Sequence, residues 1–401
     1  MMYHKNLVVG YILSLVVLCA CGTCSAGVDG NFSPTATTIP VADITVCAED
    51  CDFTSLKAAL EAVSTTAGLV ISLEDAVHTE AGIAVNKNVT IQGKGQFETI
   101  IQAAESVDAA IERIFLIPAG NQVAIRHLTM RHGNPQGDVR SGGAIRNEGD
   151  LTLENVNIHE NQASAGGGIL NDGTLYIVNS SIHDNIAKGG GDYFTECKTG
   201  GAIKIMSGPV TIENSSIYAN SAKGKGGGIH VACLGELYLT NSTISGNYSY
   251  ADGGGIFING MAVIINSTIV GNKAINGGGI SAEGSGEKDA VRGQLSFKNS
   301  IIANNYTRLE EYGTEDCLMG RNTEIALNEN NWVSDGSCDA EFSGELFLEL
   351  LSDNGGFTLT HLLAQGSPAA DLLPKDDCVV LFDQRGVSRV APCDLGAVEI
   401  N

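Results

Sequence analysis

Apolar positions recur along the middle of the chain in a short kernel of constant form. It reads Asn155-Val-Asn-Ile158-His-Glu-Asn161, Asn179-Ser-Ser-Ile182-His-Asp-Asn185, Asn214-Ser-Ser-Ile217-Tyr-Ala-Asn220, Asn241-Ser-Thr-Ile244-Ser-Gly-Asn247, Asn266-Ser-Thr-Ile269-Val-Gly-Asn272 and Asn299-Ser-Ile-Ile302-Ala-Asn-Asn305. Successive first asparagines are 24, 35, 27, 25 and 33 residues apart. A fixed kernel with insertions of variable length is the mark of a solenoid. Four and two residues before each first Asn sit apolar pairs such as Leu151/Leu153, Leu175/Ile177 and Leu237/Leu239. That spacing of two predicts a short strand. The kernel Ile lies on a second strand. A Gly-rich element ending in Ile (Ile145, Ile169, Ile203, Ile229, Ile256, Ile280) supplies a third.

Three short strands per turn, none long enough for a helix, predict an all-β chain. The expected fold is a single-stranded right-handed parallel β-helix, a three-faced solenoid of about nine to eleven coils. Val89 to Gly95, Thr99 to Ile101 and Ile125 to Met130 read as its early coils. Thr54 to Val63 has apolar residues at helical spacing, with Thr54 or Ser55 as its cap, and predicts a short helix covering the open end. The asparagines suit sharp turns in the left-handed region, and identical stacked amides can bond coil to coil. Past Asn305 the period fails, and an irregular C-terminal cap is expected. The domain reading is a leader at 1–26, a linker at 27–44, the β-helix at 45–305 and a C-terminal extension at 306–401.

Composition sharpens this picture. Gly is 50 of 401 residues with only 8 Pro and no Gly-X-Y period, which excludes collagen and fits repeated tight turns. A hydrophobic content of 43% excludes a disordered chain. In the leader, Lys5 precedes an apolar run from Leu7 to Ala20, too short for a membrane span. Leu18-Cys19-Ala20-Cys21-Gly22 resembles a bacterial lipobox, which implies cleavage before Cys21 and its lipidation. The alternative is ordinary cleavage near Ala26. Either predicts export, to the cell surface as an outer-membrane lipoprotein or into the medium. Contact with a membrane is then expected only through the lipid.

The formal net charge of −23 repels nucleic acid, anionic lipid and polyanionic polysaccharide, the last unless Ca²⁺ bridges the two. No other cofactor is expected. Eight cysteines follow the leader, and an exported protein can oxidise them. Proximity favours Cys47–Cys51, Cys197–Cys233, Cys317–Cys338 and Cys378–Cys393 among many pairings. No CxxC and no histidine at zinc-ligand spacing accompanies them, so a metal site is not expected.

The chain closes with Asp353-Asn-Gly-Gly356, Thr358-Leu-Thr360-His361, Gly366-Ser-Pro-Ala-Ala-Asp371, Asp383-Gln-Arg-Gly386 with Arg389, and Cys393-Asp-Leu-Gly-Ala-Val-Glu399. These motifs resemble the C-terminal module of the choice-of-anchor Q family of exported bacterial β-helix proteins. The Gly-rich and Asn-Ser-x-Ile kernels look like polymorphic outer-membrane protein repeats. Cys51 to Ala59 resembles the CSLREA segment, with Lys57 where that has Arg and Ala58 where it has Glu. The resemblance implies a pectin-lyase-like fold and surface anchoring, and it brings no catalytic residues. Asp383, Arg385 and Arg389 are expected to form a buried ion pair in the cap.

Familiar catalytic sets of β-helix polysaccharide enzymes are absent: no Gly-His-Gly, no Asn-Thr-Asp followed by Asp-Asp, no Arg-x-Pro-x-x-Arg. The candidate surface comes from stacking. His159, His183 and Tyr218 follow the kernel Ile in successive turns, with Glu160 and Asp184 beside them. The turn before supplies His132 if aligned on Asn134, or Arg131 if aligned on Met130. Such a row could bind a glycan, whether a polysaccharide or a host-surface glycan, or a metal. Arg126, His127, Arg140 and Arg146 form a weaker cluster. The leading expectation is adhesion or glycan binding without catalysis; the alternative is a polysaccharide lyase or glycoside hydrolase.

Overall fold

The computed structural model describes residues 43–63, 68–136, 141–189, 199–284, 293–308 and 315–400. The chain is a right-handed parallel β-helix. Its described strands form three sheets of 18, 10 and 6 strands. The ten strands of the second sheet, from Val77–Thr79 to Trp332–Val333, mark ten coils. Every pairing between these strands is parallel. The largest sheet contains both the first kernel strand and the Gly-entered strand. Ile203–Glu213 and Ile229–Thr240 run unbroken through both. The third sheet is built of two-residue strands just after the kernel, such as Gln162–Ala163 and Ile186–Ala187.

Period-two burial explains the core. Met130, Ile158, Ile182, Ile217, Ile244, Ile269 and Ile302 pair in register and form one inner column with essentially no exposure. Each such side chain contributes about 1.5–3 kcal/mol by leaving water.

The kernel asparagines divide two tasks between them. The first of each kernel takes the left-handed turn, with φ between 45° and 54° at Asn155, Asn179, Asn214, Asn241, Asn266 and Asn299. The last of each is buried and forms a ladder. Its Nδ2 donates to the next coil's Oδ1 at 2.9–3.0 Å from Asn161 through Asn185, Asn220, Asn247 and Asn272 to Asn305. The same Oδ1 accepts the backbone N–H of the previous coil's Asn, as at Asn185 N to Asn220 Oδ1, 3.0 Å. The ladder ends on Asp316, which accepts both donors of Asn305 at 2.9 Å. A parallel ladder of hydroxyls lies beside it. Ser180, Ser215, Ser242, Ser267 and Ser300 each accept the backbone N–H of the coil before, at 3.1–3.3 Å. In the Gly pairs each residue has its own reason. Gly226 sits at φ +73°, and a Cβ on Gly227 would lie 2.4 Å from the Gly254 carbonyl of the next coil.

The helix expected near the N-terminus is Leu56–Ala62, capped by Ser55, which accepts the Ala58 N–H. Two coil residues grip it. The Glu80 carboxylate accepts the N–H groups of Leu56 and Lys57 at 2.7 and 3.1 Å, and Lys87 donates to carbonyls at its C-terminus. Among the described residues no helix is long and apolar enough to cross a membrane. The leader, with Cys21, lies outside the described residues.

Winding continues beyond Asn305. Cys317–Met319, Glu324–Glu329 and Trp332–Val333 complete a last coil. The C-terminal segment then runs back along the outside of the second sheet. Gln384 bonds Ser216 Oγ (3.0 Å) and Thr243 Oγ1 (2.7 Å), His361 Nε2 meets Ser245 Oγ (2.8 Å), and Ala397 N donates to Thr268 Oγ1 (3.0 Å). Within it, buried Asp383 accepts Arg385 Nη2 at 2.8 Å, and buried Arg389 pairs with Glu399 at 3.4 Å. Cys47–Cys51, Cys317–Cys338 and Cys378–Cys393 are disulfides. Cys197 lies outside the described residues, and Cys233 is an exposed free thiol among them.

The two asparagine tasks should separate on mutation. Asn220→Ala strips partners from buried Asn185 and should cost about 2–3 kcal/mol. Asn214→Gly keeps the left-handed turn and should cost only a few tenths. Urea unfolding of both variants checks this; equal losses would contradict the division.

Candidate functional site

In the three-residue strands of the second sheet the middle side chain points inward and its neighbours point out. Register places His159 on His183 and His183 on Tyr218. The His159 and His183 rings stack 5.0 Å apart with planes 5° from parallel. His183 and Tyr218 stack 4.6 Å apart, 9° from parallel. Inside the stack the ring faces are occupied by one another, so the row shows solvent its edges.

Arg131, not His132, is the member below His159. Alignment on Met130 is therefore the correct one. Arg131 donates to Gln102 Oε1 from Nε (3.0 Å) and Nη2 (2.8 Å), and Gln102 reaches Thr79. His132 falls one residue later, at φ 64°, in the turn that also holds Glu160 (φ 53°) and Asp184 (φ 52°). Its Nε2 lies 3.4 Å from Glu160, whose carboxylate is also 3.3 Å from His159 Nδ1. His183 Nδ1 lies 2.6 Å from Asp184. All six expected residues therefore meet on one strip, as two rows.

Environment sets their protonation. Burial, aided by the neighbouring His183, lowers the His159 pKa. The hydrogen bond from His183 holds the Asp184 carboxyl below the usual range. Burial, then the Asp184 charge, pushes the Tyr218 phenol up to about 12. At neutral pH the strip holds a neutral His159, a protonated Tyr218 and a charged Asp184.

Above Tyr218 the row is closed by Ser245, which lies under His361. Beside the ring row run Thr129, Asn157, Ser181 and Ser216, also outward-facing yet buried. Gln96, from the turn at 93–99, covers Thr129, whose hydroxyl donates to its backbone carbonyl. The Gln96 side chain then donates to the Phe357 carbonyl at 3.1 Å, joining that turn to the C-terminal segment. The ring strip is thus open on one flank and walled on the other. Only the fold could reveal this wall, since Gln96 and Phe357 are 261 positions apart.

The weaker cluster does not act as one group. Arg126 pairs with Glu154 (3.0 Å), Arg146 with Glu148 (2.7 Å), and His127 Nδ1 with Asn155 Nδ2 (2.9 Å). Arg140 lies outside the described residues. On the largest sheet, Lys204 and His230 are outward-facing yet buried, and burial holds His230 well below its ordinary pKa. Among the described residues no three His, Cys, Asp or Glu side chains are placed to hold a metal ion.

Residues 113–302 match the family described as the right handed beta helix region. Some solved structures are similar to this chain. The rice weevil pectin methyl esterase is 14% identical over 73% of this chain and 91% of its own, with a TM-score of 0.38. The A-module of an Azotobacter vinelandii mannuronan C-5 epimerase is 14% identical over 73% and 91%, TM-score 0.35. A PL6 family alginate lyase is 14% identical over 90% and 60%, TM-score 0.34. At this similarity the likeness carries no argument. No sequence among the curated proteins matches this chain.

His78, His159, His230 and His361 all have pKa values lowered first by burial. Below about pH 6.5 the unfolded chain binds protons that these folded histidines resist. Stability from this source should be full at pH 7.5 and decline as pH falls toward 5.5. Thermal melts across that window check it, and an NMR titration should place the His159 midpoint below 6.5.

Proposed function

We propose that this is an exported, surface-anchored protein that holds a polysaccharide along the strip of Arg131, His159, His183 and Tyr218 without cleaving it. One observation carries the reading: four hydrogen-bonding side chains repeat at the coil spacing, in register, along one walled strip. An extended polymer lying parallel to the axis would meet the same chemistry at each step of about 4.8 Å. The walled flank fixes its path, and Glu160 and Asp184 line the other side. A host or cell-surface glycan fits this description. Ca²⁺ would be required for a uronate polymer, given the acidic surface.

The carboxylates beside His159 and His183 motivate the rival reading, a polysaccharide lyase or hydrolase. Against it, Glu160 and Asp184 are each engaged by a histidine, and Arg131 by Gln102. The lipobox-like Leu18 to Gly22 and the resemblance of the C-terminal motifs to the choice-of-anchor Q module support surface anchoring.

The purified protein should bind one or more of a panel of neutral and acidic polysaccharides, screened with and without Ca²⁺, and release no product. Reducing ends or unsaturated sugars would establish the rival. His159→Ala with His183→Ala should weaken binding at least tenfold while leaving the fold intact by circular dichroism. Separately, labelled palmitate should enter the wild-type protein in cells and be lost on Cys21→Ser.

A further inference from the structure

The outer face of the third sheet differs in charge from the molecule that carries it. Two columns of side chains point outward there. The first runs in register through Gln162, Ile186, Ser221, Tyr248, Lys273 and Tyr306. The second runs two residues later, from Ser164 through Lys188, Lys223 and Tyr250 to Ile275 and Arg308. It is set by bonds such as Lys223 N–H to the Ala187 carbonyl and Arg308 N–H to the Ala274 carbonyl. Neither column contains a carboxylate, in a chain of net charge −23. Among the described residues no acid lies in ion-pair range of Lys188, Lys223, Lys273 or Arg308.

The acids that border this face already have partners. Toward the second sheet, the turn holds Glu160 and Asp184, each beside a histidine; the later coils place Ala219, Gly246, Gly271 and Asn304 there. Toward the Gly-entered strands, Asp252 and Glu283 share Lys225, and Glu315 accepts the Gly277 N–H. Beyond the third sheet's last strand, Asp335 accepts the Asp316 N–H and the Ser337 hydroxyl.

Tyrosine rings sit among the four cations. Tyr248 and Tyr250 meet edge to face, with centroids 4.8 Å apart and planes at 85°. The Arg308 guanidinium lies 4.8 Å from the Tyr250 centroid and 5.6 Å from that of Tyr248, and its Nη1 donates to the Tyr250 carbonyl at 3.3 Å. Lys273 lies in register between Tyr248 and Tyr306. Tyr250 and Tyr306 are each 47% exposed. Exposed Tyr beside Arg is the composition that binding surfaces favour. A cluster of cations without acid partners draws anions locally, whatever the net charge of the whole.

We infer that this face binds one anionic glycan chain, laid along the axis, without Ca²⁺. Its two columns leave room for a single extended chain. Lys188 and Arg308 are four coil steps apart, about 19 Å. The lysines and Arg308 take carboxylate or sulfate groups, and the tyrosine rings take the apolar C–H faces of the sugars. An acidic peptide would supply the charge without those faces. The site lies across the Glu160–Asp184 turn from the ring strip and uses none of the strip's residues, so it goes beyond that reading.

The test titrates the full chain calorimetrically in EDTA with oligogalacturonate, a heparin-derived hexasaccharide and polyglutamate. At least one of the two oligosaccharides should bind, with affinity falling as NaCl rises from about 0.05 to 0.3 M. The tighter of the two identifies the acid group. Lys223→Glu with Lys273→Glu should weaken this binding at least tenfold with an unchanged melting temperature. Tyr306→Ala should weaken it several-fold, and Tyr306→Phe, which keeps the ring, should restore it. His159→Ala with His183→Ala should leave it unchanged. Binding that survives the lysine exchanges but is lost with the histidine pair overturns the site and leaves the strip reading standing. Polyglutamate bound as tightly overturns the glycan in favour of an acidic peptide. Binding of neither oligosaccharide in EDTA overturns the site altogether.

Discussion

Every coil of this molecule buries polar groups at its corners, and each must find its partner in the coil stacked on it. The Asn161-to-Asn305 ladder satisfies a side-chain amide and a backbone N–H at every step with a single oxygen. The serine ladder does the same for the N–H two residues before each Ile. Unpaired, each group would cost about 1–3 kcal/mol. Satisfaction requires equivalent residues at equivalent heights, so it enforces the same register that the buried aliphatic column demands.

That same register creates the candidate site. Side chains following the kernel Ile point outward and must lie over one another, so two histidines and a tyrosine in successive kernels become a stack without any dedicated scaffold. Stacking changes their chemistry. Mutual burial disfavours protonation of His159 and ionisation of Tyr218, while Asp184 is stabilised as a carboxylate by His183.

The C-terminal segment turns an exposed sheet into a walled one. Its motif residues contact the coils directly: Gln384 reaches two successive coils at Ser216 and Thr243, and His361 reaches Ser245 on the same strand as Thr243. Asp383, Arg385, Arg389 and Glu399 tie the segment to itself. The motifs are thus accounted for by docking. Ser216 and Thr243 belong to the outward column that also holds Thr129, Asn157, Ser181 and Thr268, and the turn at Gln96 meets the segment at the Phe357 carbonyl.

The fold was legible in the sequence because a solenoid repeats its physics. Period-two apolar pairs, the kernel Ile and the two asparagines each recur six times, and ten coils agree with the nine to eleven expected. The His159–His183–Tyr218 row followed from the same repetition. The residue below it stayed open because one inserted residue lets Met130 or Asn134 set the alignment; the inner Met130 column decided for Arg131, since a buried side chain cannot shift by one position without facing water. The last coil was hidden because Asn330-Asn331-Trp332-Val333 replaces the Asn-Ser-x-Ile form while keeping its geometry. The serine ladder, the burial of Lys204 and His230, and the wall at Gln96 and Phe357 belong to the tertiary structure alone. Local sequence specifies which face of a strand a side chain takes, but contacts between segments hundreds of residues apart depend on where the return of the chain lays them down.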